Sequence, residues 1–212
     1  MTEIIRDISI NSMYLSVLAG LVFFKKLNKL QKIFFGYVVY LVLLEYINHW
    51  AIHELRNNIW LMDLTLSIDF LFFIMIYNQW SKFSKLELRG YSIVFAYLIL
   101  SLVIKYLVFN SFKDINYILP VMMITAILIS GNVILKTFDN NNTEFHKSFV
   151  FWISFSRLFY YMMILPFNIY HYIELQLDKE VADTYYAADR VINYIANFVL
   201  NVLYAYSFTC RK

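Results

Sequence analysis

Seven long apolar runs follow one another along this chain, at residues 8–24, 33–52, 60–80, 91–109, 118–138, 148–169 and 186–209. Each is near the roughly 17–25 residues that a helix needs to cross about 30 Å of hydrocarbon. In hydrocarbon no water satisfies a free backbone N–H or C=O, so a lipid-exposed segment must bond internally as a helix or close into a barrel. Runs of this length, joined by short loops, predict an all-α fold: a polytopic transmembrane helical bundle of about seven spans.

Composition supports that solvent. Of 212 residues, 61% are hydrophobic and 16% charged, against about 45–50% and 25% in a soluble domain. The 18 tyrosines and 20 phenylalanines are spread along the whole chain. No segment is therefore polar enough for a separate aqueous domain of about 50 residues or more, and residues 1–212 are expected to form a single integral membrane domain. Cys210 is the only cysteine, which excludes an intramolecular disulfide and argues against a cysteine-based zinc site. The opening MTEIIRDISINSMYL has no basic leader region and no small-residue cleavage site follows, so it reads as the first span rather than a removed signal. Pro120 suits a first helical turn, whereas Pro166 falls within the sixth run and predicts a kink there.

Basic residues give the orientation. Lys25, Lys26, Lys29, Lys32, Lys82, Lys85, Arg89, Lys136, Lys147, Arg211 and Lys212 fall in or beside one set of alternate loops, and the other set holds only Arg6, Arg56, Lys113 and Lys179. The positive-inside rule then puts the amino terminus outside and the carboxyl terminus in the cytoplasm. The acidic loop before the last run, with Glu174, Asp178, Glu180 and Asp183, is an exterior solvated face on this reading.

Ionisable groups inside the runs are the candidate functional residues, because each costs about 2.5–3.5 kcal/mol in hydrocarbon and must face protein or water. They are Glu45, His49 and His53 in the second run, Asp63 and Asp69 in the third, Lys105 in the fourth, Arg157 in the sixth, and Asp189 and Arg190 in the seventh. Most sit between mid-depth and the outer surface. Glu45 and Asp69 are expected near Arg157, and Asp63, Lys105, Asp189 and Arg190 nearer the outer boundary, as pairs of opposite charge. Asn193, Asn197 and Asn201 recur every four residues and so share one helix face, a stripe that hydrogen-bonds neighbouring helices or lines a water-filled conduit. The same cluster suits structural pairing, ligand binding or ion conduction.

In LLEYINHWAIH, residues 43–53, helical spacing puts Glu45, His49 and His53 on one face. A His pair at i and i+4 is one way to hold zinc. His146 is expected on the opposite side and only His171 could join, so no metal and no cofactor are assigned, and His49 and His53 are weak candidates. A membrane-embedded lipid hydrolase of the ceramidase type would need more histidines, and one of the lysoplasmalogenase type would use embedded acids such as Asp63 and Asp69. No serine nucleophile elbow, P-loop or glycine-rich nucleotide motif is present, so no catalytic residue is assigned.

Two stretches, NNIWLMDLTLSIDF (57–70) and VINYIANFVLNVLYAYSF (191–208), resemble patterns in small polytopic bacterial membrane proteins, in particular the membrane accessory proteins of type VI-B CRISPR loci. The likeness covers length, density of spans and an Asn- and Tyr-rich last helix. It implies a non-catalytic, multi-pass protein of the bacterial inner membrane that dampens the RNA interference of an RNA-guided nuclease at the cytoplasmic face. Partners expected on this view are the bilayer, that nuclease and a second copy of the chain, with no sequence-specific nucleic-acid binding. A seven-span receptor or sensor module, an ion-conducting pore and the lipid hydrolase are the alternatives.

Overall fold

A computed structural model describes residues 2–55, 59–81, 83–104, 118–140, 144–170 and 179–210. Among these residues there are seven α-helices and no strand: α1 (Thr2–Phe23), α2 (Lys29–Trp50), α3 (Ile59–Ser81), α4 (Lys85–Val103), α5 (Ile118–Asn140), α6 (Phe149–Tyr170) and α7 (Lys179–Ser207). Each contains or overlaps one of the apolar runs. By length and composition, five of the described helices are able to cross a membrane: those at Glu3–Lys26, Lys29–Glu54, Lys85–Val103, Leu119–Asp139 and Phe149–Ile169.

The helix ends are written into local chemistry. Asn28 precedes α2 and forms a reciprocal cap with Gln31: the Gln31 N–H donates to Asn28 Oδ1 at 2.9 Å, and the Asn28 N–H donates to Gln31 Oε1 at 3.0 Å. Ser84 caps α4 in the same manner, its Oγ accepting from the Glu87 N–H at 3.2 Å and its N–H donating to Glu87 Oε2 at 2.7 Å. Each box satisfies donors that a first helical turn leaves orphaned. A short 3-10 turn, Phe24–Lys26, joins α1 to α2, and a π-helical turn, Ala51–Leu55, follows α2. Pro120 lies in the first turn of α5 and Pro166 inside α6.

The helices divide into two compact units. The first contains α1, α2 as far as Val42, α5 from Met123, and all of α6 and α7. Helix α7 packs against both α1 and α6. Small residues line the buried face of α1: Ser9, Ser12, Ser16 and Gly20 are spaced by three, four and four residues and are all buried, Ser12 and Ser16 bonding to α7 and Gly20 lying against Phe35 of α2. Small side chains on one face let helix axes come together where lipid offers no hydrophobic drive. At the end where α1, α5 and α7 finish and α2 and α6 begin, Phe34 is fully buried. Its ring centroid is 4.9 Å from Tyr204, 5.4 Å from Phe149 and 5.7 Å from Phe208. Aromatic pairs of this kind add about 0.5–1.5 kcal/mol each beyond the area they bury.

The second unit, Leu43–Met122, holds the end of α2, the π turn, α3, α4 and the start of α5. Phe70 of α3 stacks on Phe95 of α4 at 6.2 Å, and Phe83 meets Tyr91 edge-on at 5.0 Å.

Polarity is distributed as hydrocarbon demands. Ser9, Ser12, Ser16, Ser130, Thr137, Ser154 and Ser156 are buried, whereas Leu18, Val22, Ile93, Leu100, Leu128 and Leu135 are exposed. A soluble protein tends to bury the second set and expose the first, and exposed apolar side chains in such number suit a surface made for another phase.

Candidate functional site: the polar seam of the first and last helices

Asn201 is the centre of the seam. It is 5% exposed, and its Nδ2 donates to Ser12 Oγ on α1 at 3.1 Å and to the Asn197 carbonyl at 2.9 Å. Its own backbone carbonyl accepts from Ser16 Oγ at 2.8 Å. The Ser12 hydroxyl donates a hydrogen bond to the Ser9 carbonyl. One turn earlier on α7, Asn197 Nδ2 donates to Asn193 Oδ1 at 3.1 Å. The asparagine stripe therefore bonds along its own helix at Asn193 and Asn197 and reaches across to α1 at Asn201. Both serine hydroxyls donate to carbonyl oxygens, which is the geometry of packing; an activated nucleophile would instead give its proton to a base.

Towards the amino-terminal end of α1 the seam opens into a groove of about 410 Å³ beside Phe198. Asp7 lies at this end, paired with Arg6 through Nη2 at 3.0 Å and Nε at 3.1 Å. Asn11 donates its amide to the Asp7 carbonyl at 2.7 Å.

At the opposite end, the segment after α7 is held by two neighbours. Gln31 Nε2 donates to the Cys210 carbonyl at 2.7 Å, and the Cys210 thiol sits 3.9 Å from the His146 carbonyl. The same His146 carbonyl accepts from Trp152 Nε1 at 2.6 Å. Burial raises the Cys210 thiol above its ordinary value, with a hydrogen bond to Thr209 acting the other way.

The residues singled out by the sequence are distributed as follows. Arg157 is buried in α6, its Nη2 3.3 Å from Tyr161 Oη and its guanidinium 5.3 Å from the Tyr161 ring centroid. Asp189 is half-buried, and Arg190 is exposed with Nε donating to the Tyr186 carbonyl at 3.3 Å. These three belong to the first unit, with Asn193, Asn197 and Asn201. Glu45, Asp63 and Asp69 belong to the second, as do His49 and His53. Glu45 and Asp69 are half-buried, and His49 and His53 are exposed with ring centroids 4.5 Å apart. Among the described residues no three His, Cys, Asp or Glu side chains come together as a metal site. Lys105, His171 and the Asp63 side chain lie outside the described residues. The serine face of α1 and the Gln31 latch were not singled out by the sequence; their signals are the three-four-four spacing of Ser9, Ser12, Ser16 and Gly20, and the Asn-x-x-Gln pattern at residues 28–31.

No protein family model, no curated protein and no solved structure matches this chain.

Proposed function

We propose that this chain is a seven-span protein of the bacterial inner membrane, amino terminus outside, that regulates a cytoplasmic partner without catalysing a reaction. The observation that carries this reading is the basic end of the first unit. Lys25, Lys26, Lys29, Lys32 and Lys147 all lie where α1 finishes and where α2 and α6 begin. The same end is fastened by the Phe34 aromatic cluster and by the Gln31 and His146 contacts to Cys210. The result is a cationic surface carried by Lys25, Lys26, Lys29 and Lys32, with Lys147 paired to Glu144 at 2.8 Å. Such lysines favour the cytoplasmic side and anionic head groups, at about 1 kcal/mol each near the surface.

Parity supports the span count. Helices α1, α5 and α7 end at the basic end, and α2 and α6 start there, so the chain leaves the first unit in α2 and returns in α5 at the far end. The stretch between crosses an even number of times. Helix α4 is long and apolar enough to cross, and a crossing by α4 requires one by α3. With α7 packed on α1, any even number of crossings between α2 and α5 makes the total odd, seven on this reading, which favours termini on opposite sides.

The resemblance to type VI-B accessory proteins extends this reading to its target, an RNA-guided RNA nuclease whose interference the protein dampens. Interference against a targeted RNA, measured in cells carrying the nuclease alone and in cells carrying both proteins, tests it. Reduced interference in the second strain, with the protein retained in washed membranes, is the expected result. Equal interference in the two strains overturns the regulatory reading.

A further inference from the structure

The α1–α7 groove carries chemistry that the regulatory reading leaves unused. Ile4, Ile8, Leu15 and Phe198 form apolar walls, and Asp7 and Asn11 supply polar groups along the α1 side. The groove, about 410 Å³, lies open along the helix surface, its apolar lining Ile4, Ile8, Leu15 and Phe198 being 38–65% exposed, a shape that suits a chain lying along it better than an enclosed small molecule. Arg6 pairs with Asp7 at 3.0 Å, so a guanidinium stands next to the one carboxylate that lines the groove, although Arg6 itself is not among the lining residues. Both side chains are largely open to solvent, at 47% and 60% exposure. An ion pair between exposed neighbours is weak and yields readily to a competing ligand. Asn11 spends its amide nitrogen on the Asp7 carbonyl, which leaves its amide oxygen to accept a further hydrogen bond.

Depth identifies the setting. Arg6 precedes Lys25 by 19 residues of nearly continuous helix, about 28 Å at 1.5 Å per residue. That is close to the thickness of the hydrocarbon, about 30 Å. With Lys25 at one boundary, Arg6 and Asp7 stand at the other, level with the head groups, and Ile8, Leu15 and Phe198 run below them, with Ile4 above.

We propose that this groove binds a phospholipid with a phosphoethanolamine head group, its acyl chain along Ile8, Leu15 and Phe198, its phosphate on Arg6 and its ammonium on Asp7 and Asn11. A guanidinium binds phosphate through paired N–H donors. A primary ammonium offers three donors to the carboxylate and the amide oxygen. A quaternary choline has no N–H to offer, and a glycerol head group brings no cation to Asp7. The match is therefore to a zwitterion with a protonated amine. The inference rests on the membrane reading and is independent of the nuclease as target.

The test uses the full chain reconstituted in vesicles of equal parts phosphatidylethanolamine, phosphatidylcholine and phosphatidylglycerol with identical acyl chains, followed by gentle detergent extraction and native mass spectrometry of the lipid retained. The wild type is expected to retain the ethanolamine lipid over the choline lipid by about tenfold, the size of one charge-assisted hydrogen bond. Asp7→Asn, which keeps the side-chain shape, is expected to lose that preference, and Arg6→Gln to lower retention of all three lipids. Equal retention of ethanolamine and choline lipids by the wild type overturns the proposal, as does an unchanged preference in Asp7→Asn. Efficient cross-linking of two Ile8→Cys chains in native membranes would place a second copy in the groove instead and also overturns it. Alkaline carbonate washing of the same membranes separates the two failures. A protein released by the wash fails the membrane reading, whereas one that stays in the membrane without the preference fails the lipid site alone.

Discussion

The side-chain amide of Gln31 donates to the backbone carbonyl of Cys210 at 2.7 Å, tying the first turn of α2 to the segment that follows the last helix. The same amide also caps α2 through Asn28, and Gln31 is 2% exposed. Replacing it with leucine removes a cap and strands a buried carbonyl. Gln31→Leu is expected to lower stability by about 2–4 kcal/mol, from the loss of a cap and of a buried acceptor's partner. Lys29→Leu, on the exposed first residue of the same helix, should stay within about 0.5 kcal/mol. Thermal unfolding in detergent compares them, and equal midpoints would refute the latch.

Asn201 makes the cross-helix contacts of the asparagine stripe, and Asn193 bonds within α7. Asn201→Leu should therefore destabilise the protein by about 1–2 kcal/mol, the range of polar contacts between membrane helices, with Asn193→Leu close to neutral. Combining Asn201→Leu with Ser12→Ala should cost less than the sum of the single changes, since both remove one hydrogen bond. Strict additivity would show that the Ser12 contact carries no energy.

Hydropathy locates hydrocarbon, and that is why the runs and helices agree in number among the described residues but differ at their ends. Helix α4 begins at Lys85 rather than near residue 91, because Ser84 and Glu87 form a capping box outside the apolar run. Helix α7 begins at Lys179 rather than near 186, because its first turns are polar in sequence and so fall outside the apolar run. The four-residue spacing of Asn193, Asn197 and Asn201 was legible because asparagine is conspicuous among apolar neighbours. Ser12 and Ser16 were not, because each hydroxyl is small and satisfied by a single carbonyl, so their contribution is size more than polarity. Charge pairing led to an expectation of Glu45 and Asp69 near Arg157, whereas the contact with Tyr161, one turn away on its own helix, left no sign in a pattern of charges.

Gly20 is the tightest point of the serine face, since a Cβ there would overlap the ring of Phe35. Two effects oppose each other in Gly20→Ala. Helix propensity favours alanine by about 1 kcal/mol, and overpacking costs about 1–3 kcal/mol. Because the obstructing atoms belong to a ring rather than to a flexible chain end, overpacking should win and Gly20→Ala should melt at a lower temperature than the wild type. Phe35→Leu in the same chain should restore most of the loss. Gly131, with nothing near its missing Cβ, should show propensity alone, and Gly131→Ala should stabilise by about 0.5–1 kcal/mol. Parallel effects at the two glycines would exclude the contact with Phe35.

Cys210 follows the end of α7 with its thiol buried and its ionisation made harder, chiefly by desolvation. A raised folded-state value means that the neutral thiol stabilises the fold. That contribution is complete below the unfolded thiol's value, about 8.5, and is lost as pH rises through the folded value, where the folded protein must ionise as well. Comparing wild type with Cys210→Ala from about pH 7 to 10 isolates this effect from the tyrosines and lysines that both proteins share. The wild type should lose stability more steeply at the alkaline end. Maleimide labelling of the native protein should also be slow until it is unfolded, because the thiolate is the reactive form. Rapid labelling at neutral pH would contradict the burial.

Topology decides between the even numbers left open by parity. Reporter fusions at Lys32 and at the carboxyl terminus should read cytoplasmic and a fusion at Asp178 external, whether the stretch between α2 and α5 crosses twice or not at all. Asn57 should also read external, because α2 starts at the basic end and runs away from it. Lys85 is the discriminating position. If α3 crosses, Lys85 and Arg89 join the other lysines inside, as the positive-inside rule requires of a short loop carrying two basic residues. If α3 stays at the outer surface, a fusion at Lys85 reads external, α4 does not cross despite its apolar length, and the chain has five spans. A cytoplasmic signal at Lys85 together with an external one at Asn57 is the expected result, and it fixes α3 as a crossing helix even though it carries Asp63 and Asp69. Those two carboxylates would then be embedded, and each would need a partner or water at depth.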